Sequence, residues 1–358
     1  TRQVSSAASD VYKRQVKLIS FADAGSDFLF TSFIPDVGYD QALINFAFRA
    51  LPVIIFFSSL IAATYHIGVI QIIIKNIANV MEKTMKTSGA ETLSISANIF
   101  VGQTEAPIII RPYISKMTNS ELMTVMVGGF STVAGSVMAL YVTWLNNIPE
   151  IAGHLLAASV MSAPAALMVA KIIYPETKSY QNINSNNIKL KSQDNNLVDA
   201  IGRGATDGLK LAANVAAMLI AFISLVAMIN FILSLLGTSM QEMLGLLFKP
   251  LAWTMGIPWA DAKIVGTLMG EKIVLTELIA FRDLSDYVSN NTISERSVII
   301  ASYALCGFAN FGSIGIQLGG IGSMAPKRKK DLSKLVFKAM LGGAIASWLT
   351  ASIVGILI

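Results

Sequence analysis

The chain has 358 residues, of which 54% are hydrophobic and only 14% charged, and its mean hydropathy is +0.61. Soluble domains carry roughly 25% charged residues, so a water-covered enzyme of this size is excluded. The net charge of +5 would suit nucleic acid in a soluble protein, but in so apolar a chain it reports membrane topology.

Thr1–Gln15 is polar, starts without Met and has no apolar core of the signal-peptide kind. It reads as a foreign extension on a chain truncated at its amino-terminal side. Six stretches then contain no Asp, Glu, Lys or Arg: Leu51–Ile74, Leu122–Leu145, Ile151–Ala170, Leu211–Met240, Ser297–Pro326 and Ala339–Ile358. Each reaches the ~20 residues that cross a bilayer. Basic residues gather at 75–86, at 171–210 and in the run Lys327–Lys330 with Lys334 and Lys338. Cytoplasmic loops collect such residues, so the first clear span enters the cytoplasm and the carboxyl terminus lies outside. The KRKK run is then a topological anchor, and no nucleic acid is expected. Ser179–Asn196, rich in Asn and Ser, reads as a flexible loop.

Between the spans, Thr92–Ile110 and Ile264–Phe281 are largely apolar yet interrupted by N-I-F-V-G-Q-T-E-A-P and G-E-K-I-V-L-T-E-L. A charge at bilayer depth costs ~2.5–3.5 kcal/mol even on insertion scales. These segments suit re-entrant helical hairpins, which survive only inside protein or around a water-filled cavity. Interfacial amphipathic helices are the plainer alternative.

An internal repeat favours hairpins. Ser59-Leu60, Thr104-Glu105, Ser120-Glu121 and the GFSTVAGS segment from Gly129 recur in order as Ser224-Leu225, Thr276-Glu277, Ser294-Glu295 and GFANFGSI from Gly307. Three spans separate the hairpins, so the halves are inverted. Inverted repeats with broken helices are the architecture of secondary transporters. Both GF segments cluster Gly, Ser, Thr and Asn, which weaken a helix through lost propensity and competing hydrogen bonds. Unwinding of both spans is expected, although close packing through small residues is a competing use. The fold class is an all-α polytopic membrane protein with inverted repeats, two re-entrant hairpins and two interrupted transmembrane helices.

Cys306 lies in an apolar stretch and reads as a buried thiol, while His66 and His154 have no metal-binding spacing. No HExxH, GxGD, GxSxG or Walker sequence is present, so the chain is not read as an enzyme or an ATP-driven pump. A channel would need a continuous polar path, whereas polar residues here gather at two tips and two breaks.

ANIFVGQTEAP at Ala97–Pro107, KMTNSEL at Lys116–Leu122, CGFANFGSI at Cys306–Ile314 and APKR at Ala325–Arg328 resemble the concentrative nucleoside transporters. The resemblance runs from about Phe28 to the end. It implies a cation-coupled nucleoside symporter of the inner cell membrane, a homotrimer in which a scaffold holds a moving transport domain that works as an elevator. It assigns Gln103, Thr104 and Glu105 to the nucleobase, Glu277, Asn310 and Ser313 to the ribose, and Val137 and Phe308 to apolar contacts. Sodium would be held by the side chains of Asn98 and Thr132 and the carbonyls of Val101 and Val133, an all-oxygen set suited to a hard cation. A proton could serve instead. A vicinal diol offers two donors that one carboxylate accepts, although Lys272 near Glu277 allows a structural ion pair instead. Thr276-Glu277-Leu278-Ile279-Ala280 replaces the family's usual Asn-Glu-Phe-Val-Ala. The implied division is an extension at 1–15, partial scaffold at 16–86 and a first transport half at 87–174. A cytoplasmic loop at 175–210, a scaffold span with amphipathic helix at 211–258 and a second transport half at 259–358 complete it.

Overall fold

The computed structural model describes residues 46–177, 185, 188 and 194–358, without the side chains at 46–51, 215, 216, 218–223 and 227. The expected extension at Thr1–Gln15, the first part of the 16–86 region and most of the Ser179–Asn196 loop lie outside these residues. All regular structure among the described residues is helical. The chain forms two compact units: 1–68 with 135–153 and 192–225, and 69–134 with 154–191 and 226–358.

In the first unit, helix α1 (Phe46–Ile67) packs against α7 (Gly135–Trp144). Val53 and Ala139 are buried there beside Phe56 and Phe57. Helix α9 (Leu197–Ser234) begins within the 175–210 connection. Its Gly204 and Gly208 approach α1 so closely that an added Cβ would stand 2.8 Å from the Ser58 carbonyl oxygen and 2.7 Å from Ile55 Cα. Small residues four apart let two backbones meet without side chains between them.

The second unit carries both hairpins. It starts with α2 (Val69–Met85), separated from α1 by Gly68 at φ +100. The apolar stretch Leu51–Ile74, expected as one span, is therefore two helices. The first hairpin consists of α3 (Gly89–Asn98), a turn-rich tip, and the short helices α4 (Ala106–Ile109) and α5 (Arg111–Ile114). The second consists of α11 (Ala262–Val274) and α12 (Glu277–Ser289), with Leu275 and Thr276 as its tip. The motif at Thr92–Ile110 and that at Ile264–Phe281 thus each break where polar residues interrupt the apolar run.

Both expected interruptions occur. Helix α6 (Asn119–Ser131) stops three residues before α7, and α13 (Glu295–Leu305) stops before α14 (Phe311–Met324). The corresponding helices start alike. Thr118 and Ser294 cap α6 and α13 through side-chain oxygens, Thr118 in a reciprocal capping box with Glu121. The order hairpin, interrupted helix, long helix is completed by α8 (Ile151–Ile173) in one half and α15 (Lys329–Leu357) in the other, with α10 (Met240–Thr254) packed on α11. Helix α15 packs on both α6 and α13, so the two interrupted helices share one buried support.

Asn119–Trp144, Ile151–Ile173 and Pro326–Leu357 are long and apolar enough to cross a membrane, and Pro52–Met85 qualifies as a bent pair. Ser297–Pro326, expected as a span, falls short because its unwound centre divides it into α13 and α14. The protein is an all-α, multi-pass membrane protein with paired hairpins and paired broken helices in inverted repeat.

Candidate functional site

The first hairpin is polar and yet buried throughout α3. Two of its hydroxyls are satisfied locally: Thr92 and Ser96 donate to the carbonyls of Ser88 and Thr92, each at 2.8 Å. Glu91 pairs with Lys171 of α8 at 2.8 Å. Ser159 Oγ, also on α8, donates to the Ile99 carbonyl at 3.1 Å, so the tip is anchored where its helix ends. Pro107 in the first turn of α4 lacks the N–H that a helix start cannot use.

The second tip is tighter. Thr276 caps α12 by accepting from the Ile279 N–H at 3.3 Å, placing Glu277 at a helix N-terminus, where backbone dipoles stabilise negative charge. Just before it, fully buried Lys272 donates its ammonium to the carbonyls of Ala304 (2.9 Å) and Cys306 (3.1 Å). Those carbonyls lie where α13 unwinds, so the cation holds the frayed end of the helix. Ser347 of α15 also donates to the Cys306 carbonyl. The Glu277 carboxylate acts electrostatically on the same ammonium, but the ammonium gives its hydrogen bonds to these main-chain oxygens. The Cys306 thiol is buried, as expected.

The two unwound stretches face each other. Gly307, at φ +114, approaches the end of α6 so closely that a Cβ would stand 2.7 Å from the Phe130 carbonyl oxygen. Only glycine fits both that backbone conformation and that gap. Beyond it, Asn310 caps α14: its Oδ1 accepts from the Ser313 N–H at 2.8 Å, and its Nδ2 donates to Glu277 Oε2 at 2.9 Å. Ser313 Oγ accepts from Gln103 Nε2 at 3.2 Å. Gln103 Oε1 accepts from Gln317 Nε2 at 3.1 Å, and Gln317 Nε2 also donates to the Met126 carbonyl at 3.0 Å. One hydrogen-bonded chain therefore runs from the second tip through the second break to the first tip and α6.

Four expected ribose and base residues, Gln103, Glu277, Asn310 and Ser313, are thus brought together and are buried. Phe308 is half-buried beside them, its carbonyl accepting from the Asn310 N–H at 2.8 Å. Thr104 is half-buried against Gly320 of α14. Glu105 is exposed, and its carboxylate accepts from the Gly102 N–H of its own tip at 3.1 Å. Val137 is buried in α7 of the first unit.

The expected cation residues Asn98, Val101, Thr132 and Val133 are all buried. Asn98, which ends α3, is fully enclosed, yet neither its amide oxygen nor its amide nitrogen has a hydrogen-bond partner among the described residues. Thr132 Oγ1 donates to the Gly128 carbonyl at 3.0 Å, and a Cβ on Gly128 would stand 3.6 Å from Asn98 Nδ2. Both side chains therefore border the same turn of α6. An amide oxygen buried without a donor is a ready cation ligand, and the hydroxyl of Thr132 keeps lone pairs to offer.

A family model described as "Na+ dependent nucleoside transporter C-terminus" matches residues 154–355, and one described as "Nucleoside recognition" matches 47–147. The chain belongs to the concentrative nucleoside transporter family. It is 42% identical to sodium/nucleoside cotransporter 1 of Rattus norvegicus over 95% of this chain and 54% of that protein. It is 40% identical to an uncharacterised transporter of Haemophilus influenzae over all of this chain and 86% of the relative. Among solved structures, CNTnw in an inward-facing substrate-bound state superposes with a TM-score of 0.90 at 41% identity, covering 99% of this chain and 86% of that one. The chain spans about half the length of the sodium/nucleoside cotransporter 1 proteins of Rattus norvegicus, Mus musculus and Homo sapiens that it matches.

Two polar residues of this concentrative nucleoside transporter chain escaped the sequence reading of the site. Gln317 is fully buried in the network, and its signal was available: it lies one helical turn beyond Ser313 inside an uncharged stretch. Lys272 was weighed only as a partner for Glu277, because its bonds to Ala304 and Cys306 bridge residues far apart in sequence.

Proposed function

We propose that the chain imports nucleosides by symport with sodium. The observation that carries this reading is the hydrogen-bonded chain joining both hairpin tips to the second break. Glu277 and Asn310 offer a carboxylate and an amide to the ribose, and the carboxylate accepts both hydroxyls of a vicinal diol. Charge-assisted bonds of this kind are about twice as strong as neutral ones, so a sugar lacking a hydroxyl is rejected. Gln103, Thr104 and Glu105 read the base edge, and Phe308 supplies apolar contact. The orphaned amide of Asn98 supports a sodium ion held with Thr132 and the carbonyls of Val101 and Val133. The ion contributes positive charge that completes the buried first tip and couples its occupancy to the gradient.

One cation moving inward through ~100 mV contributes about 2.3 kcal/mol, and a tenfold gradient adds ~1.4 kcal/mol. Together these sustain a nucleoside gradient of a few hundredfold. In the same proposal, residues 87–174 and 259–358 are the two halves of a transport domain. This domain moves as an elevator against scaffold at 16–86 and 211–258, linked by the loop at 175–210. The scaffold assembles as a homotrimer in the inner cell membrane, and the carboxyl terminus lies outside.

Uptake of labelled uridine into proteoliposomes, with sodium and then with choline at constant pH, tests the proposal. Accumulation above the outside concentration in sodium alone is expected. Accumulation in choline that collapses with the pH gradient would replace sodium by a proton. Absence of uptake under both conditions by inserted, folded protein would remove nucleosides as the substrate.

A further inference from the structure

Gln317 is fully buried on α14, and both hydrogens of its amide are committed, one to the Met126 carbonyl and one to Gln103 Oε1. A backbone carbonyl only accepts. Turning the Gln317 amide over would set its oxygen against the Met126 oxygen, so the main chain of α6 dictates which end of Gln317 faces inward. That choice propagates. Gln103 must present its oxygen to Gln317 and its nitrogen to Ser313, which is how it is bonded. Ser313 Oγ, accepting from Gln103, keeps its own proton to donate elsewhere.

A second observation is independent of these bonds. A Cβ at Gly129 of α6 would stand 2.6 Å from Gln317 Nε2 and 3.1 Å from Gln103 Cβ. The absent side chain of Gly129 is the space into which the Gln317 amide fits. The Gln317 oxygen meanwhile has no hydrogen-bond partner among the described residues, so the amide holds this orientation although one of its own acceptors goes unsatisfied.

We propose that Gln317 is a specificity-determining positioning residue that fixes the donor–acceptor polarity of Gln103, and with it which base edge the transporter accepts. The inference rests on the nucleoside reading above. With Gln103 Oε1 occupied by Gln317 and one N–H given to Ser313, the remaining N–H of Gln103 favours a base that turns an acceptor towards it. Uracil and cytosine have the same size but reversed groups at positions 3 and 4 of the ring, donor then acceptor in one and acceptor then donor in the other. An amide of fixed polarity distinguishes them; an amide free to turn over does not.

The test is competition between uridine and cytidine for transport in proteoliposomes containing the wild-type protein, Gln317→Met and Gly129→Ala. Methionine keeps the volume and removes the donors. Alanine is a better helix former than glycine, and its Cβ pushes the Gln317 amide out of place. Wild type is expected to separate the two nucleosides by about tenfold, the worth of one hydrogen bond made or left unmade. Each variant should bring the ratio of apparent affinities to within about threefold, with Gly129→Ala giving the answer if Gln317→Met fails to insert. Equal loss for both nucleosides at an unchanged ratio would make Gln317 a packing residue and overturn the proposal, as would a wild type that treats the two alike. Failure of wild type to move either nucleoside is a separate result, and it removes the nucleoside reading itself.

Discussion

The two hairpins hold their tips by different means. The first turns slowly, from Ile99 to Glu105; its buried groups are the neutral amides of Gln103 and the orphaned Asn98, with the Thr104 hydroxyl half-buried and the Glu105 carboxylate exposed and accepting from the Gly102 N–H of its own tip. The second turns in Leu275 and Thr276 alone and is built on charge, with Glu277 at a helix start and Lys272 clamping the carbonyls of the α13 end. A longer tip with neutral buried groups suits groups that a ligand completes. A short charged tip suits a carboxylate whose position must not drift. The hairpins share a topology, and the difference lies in what each is left to recognise.

That contrast can be broken most severely at Glu277. Replacement by Gln keeps the size and the bond to Asn310 but removes the charge that accepts both ribose hydroxyls. Uridine uptake should fall at least ~100-fold, as expected for two charge-assisted bonds lost or weakened, with membrane expression unchanged by immunoblot. Near-normal uptake would take Glu277 out of the site.

Lys272→Met attacks the clamp. The Ala304 carbonyl loses the ammonium and the Cys306 carbonyl keeps only the Ser347 hydroxyl, and a hydrogen bond to a charged group contributes about 2 kcal/mol. The thermal midpoint of purified protein should drop clearly, whereas Lys75→Met, on a half-buried lysine of α2, should leave it unchanged. An unaltered midpoint would show that the break holds without the cation.

Asn98→Leu separates folding from ion binding at the first tip. It removes two buried unpartnered polar atoms, so stability without sodium should hold or rise. Wild type should gain stability on adding sodium, about 2.7 kcal/mol at a hundred times the dissociation constant, and the variant should not. An equal sodium-dependent shift in both would place the ion elsewhere.

The smallest effect is expected at the mouth of the second hairpin. Burial alone would raise the Asp261 carboxyl, but hydrogen bonds from the side chains of Ser294 and Ser297 and the Ser294 N–H hold it below its ordinary value of 3.8. A carboxyl lowered by folding stabilises above its unfolded value, and that contribution is lost as the pH falls through the folded value. The midpoint of wild type should therefore decline below about pH 4 more than that of Asp261→Asn. Parallel curves would dismiss the contribution.

Much of this was legible in the amino-acid order. Charges inside apolar runs marked both hairpins, and clustered Gly, Ser, Thr and Asn marked both breaks, because each feature is a local conflict with a continuous helix. Gly68 went unread, since a single glycine within an apolar helix is often tolerated. Gln103, Glu277, Asn310 and Ser313 were identified through the family resemblance, but the bonds joining them span more than thirty or two hundred residues and leave no local trace. Gln317 could have been found by helical spacing from Ser313. The role of Lys272 could not, because its partners are main-chain oxygens with no side-chain signature.

The central claim is that the first tip, through Gln103, and the second tip, through Glu277, hold one nucleoside between them. Titration calorimetry of uridine into purified protein, in sodium, tests it with wild type, Gln103→Ala and Glu277→Gln. The expected result is measurable binding by wild type and a dissociation constant raised at least ~tenfold by either substitution, each removing one tip's hydrogen bonds. A dissociation constant untouched by Gln103→Ala, while Glu277→Gln abolishes binding, would contradict it and leave the first hairpin outside the nucleoside site.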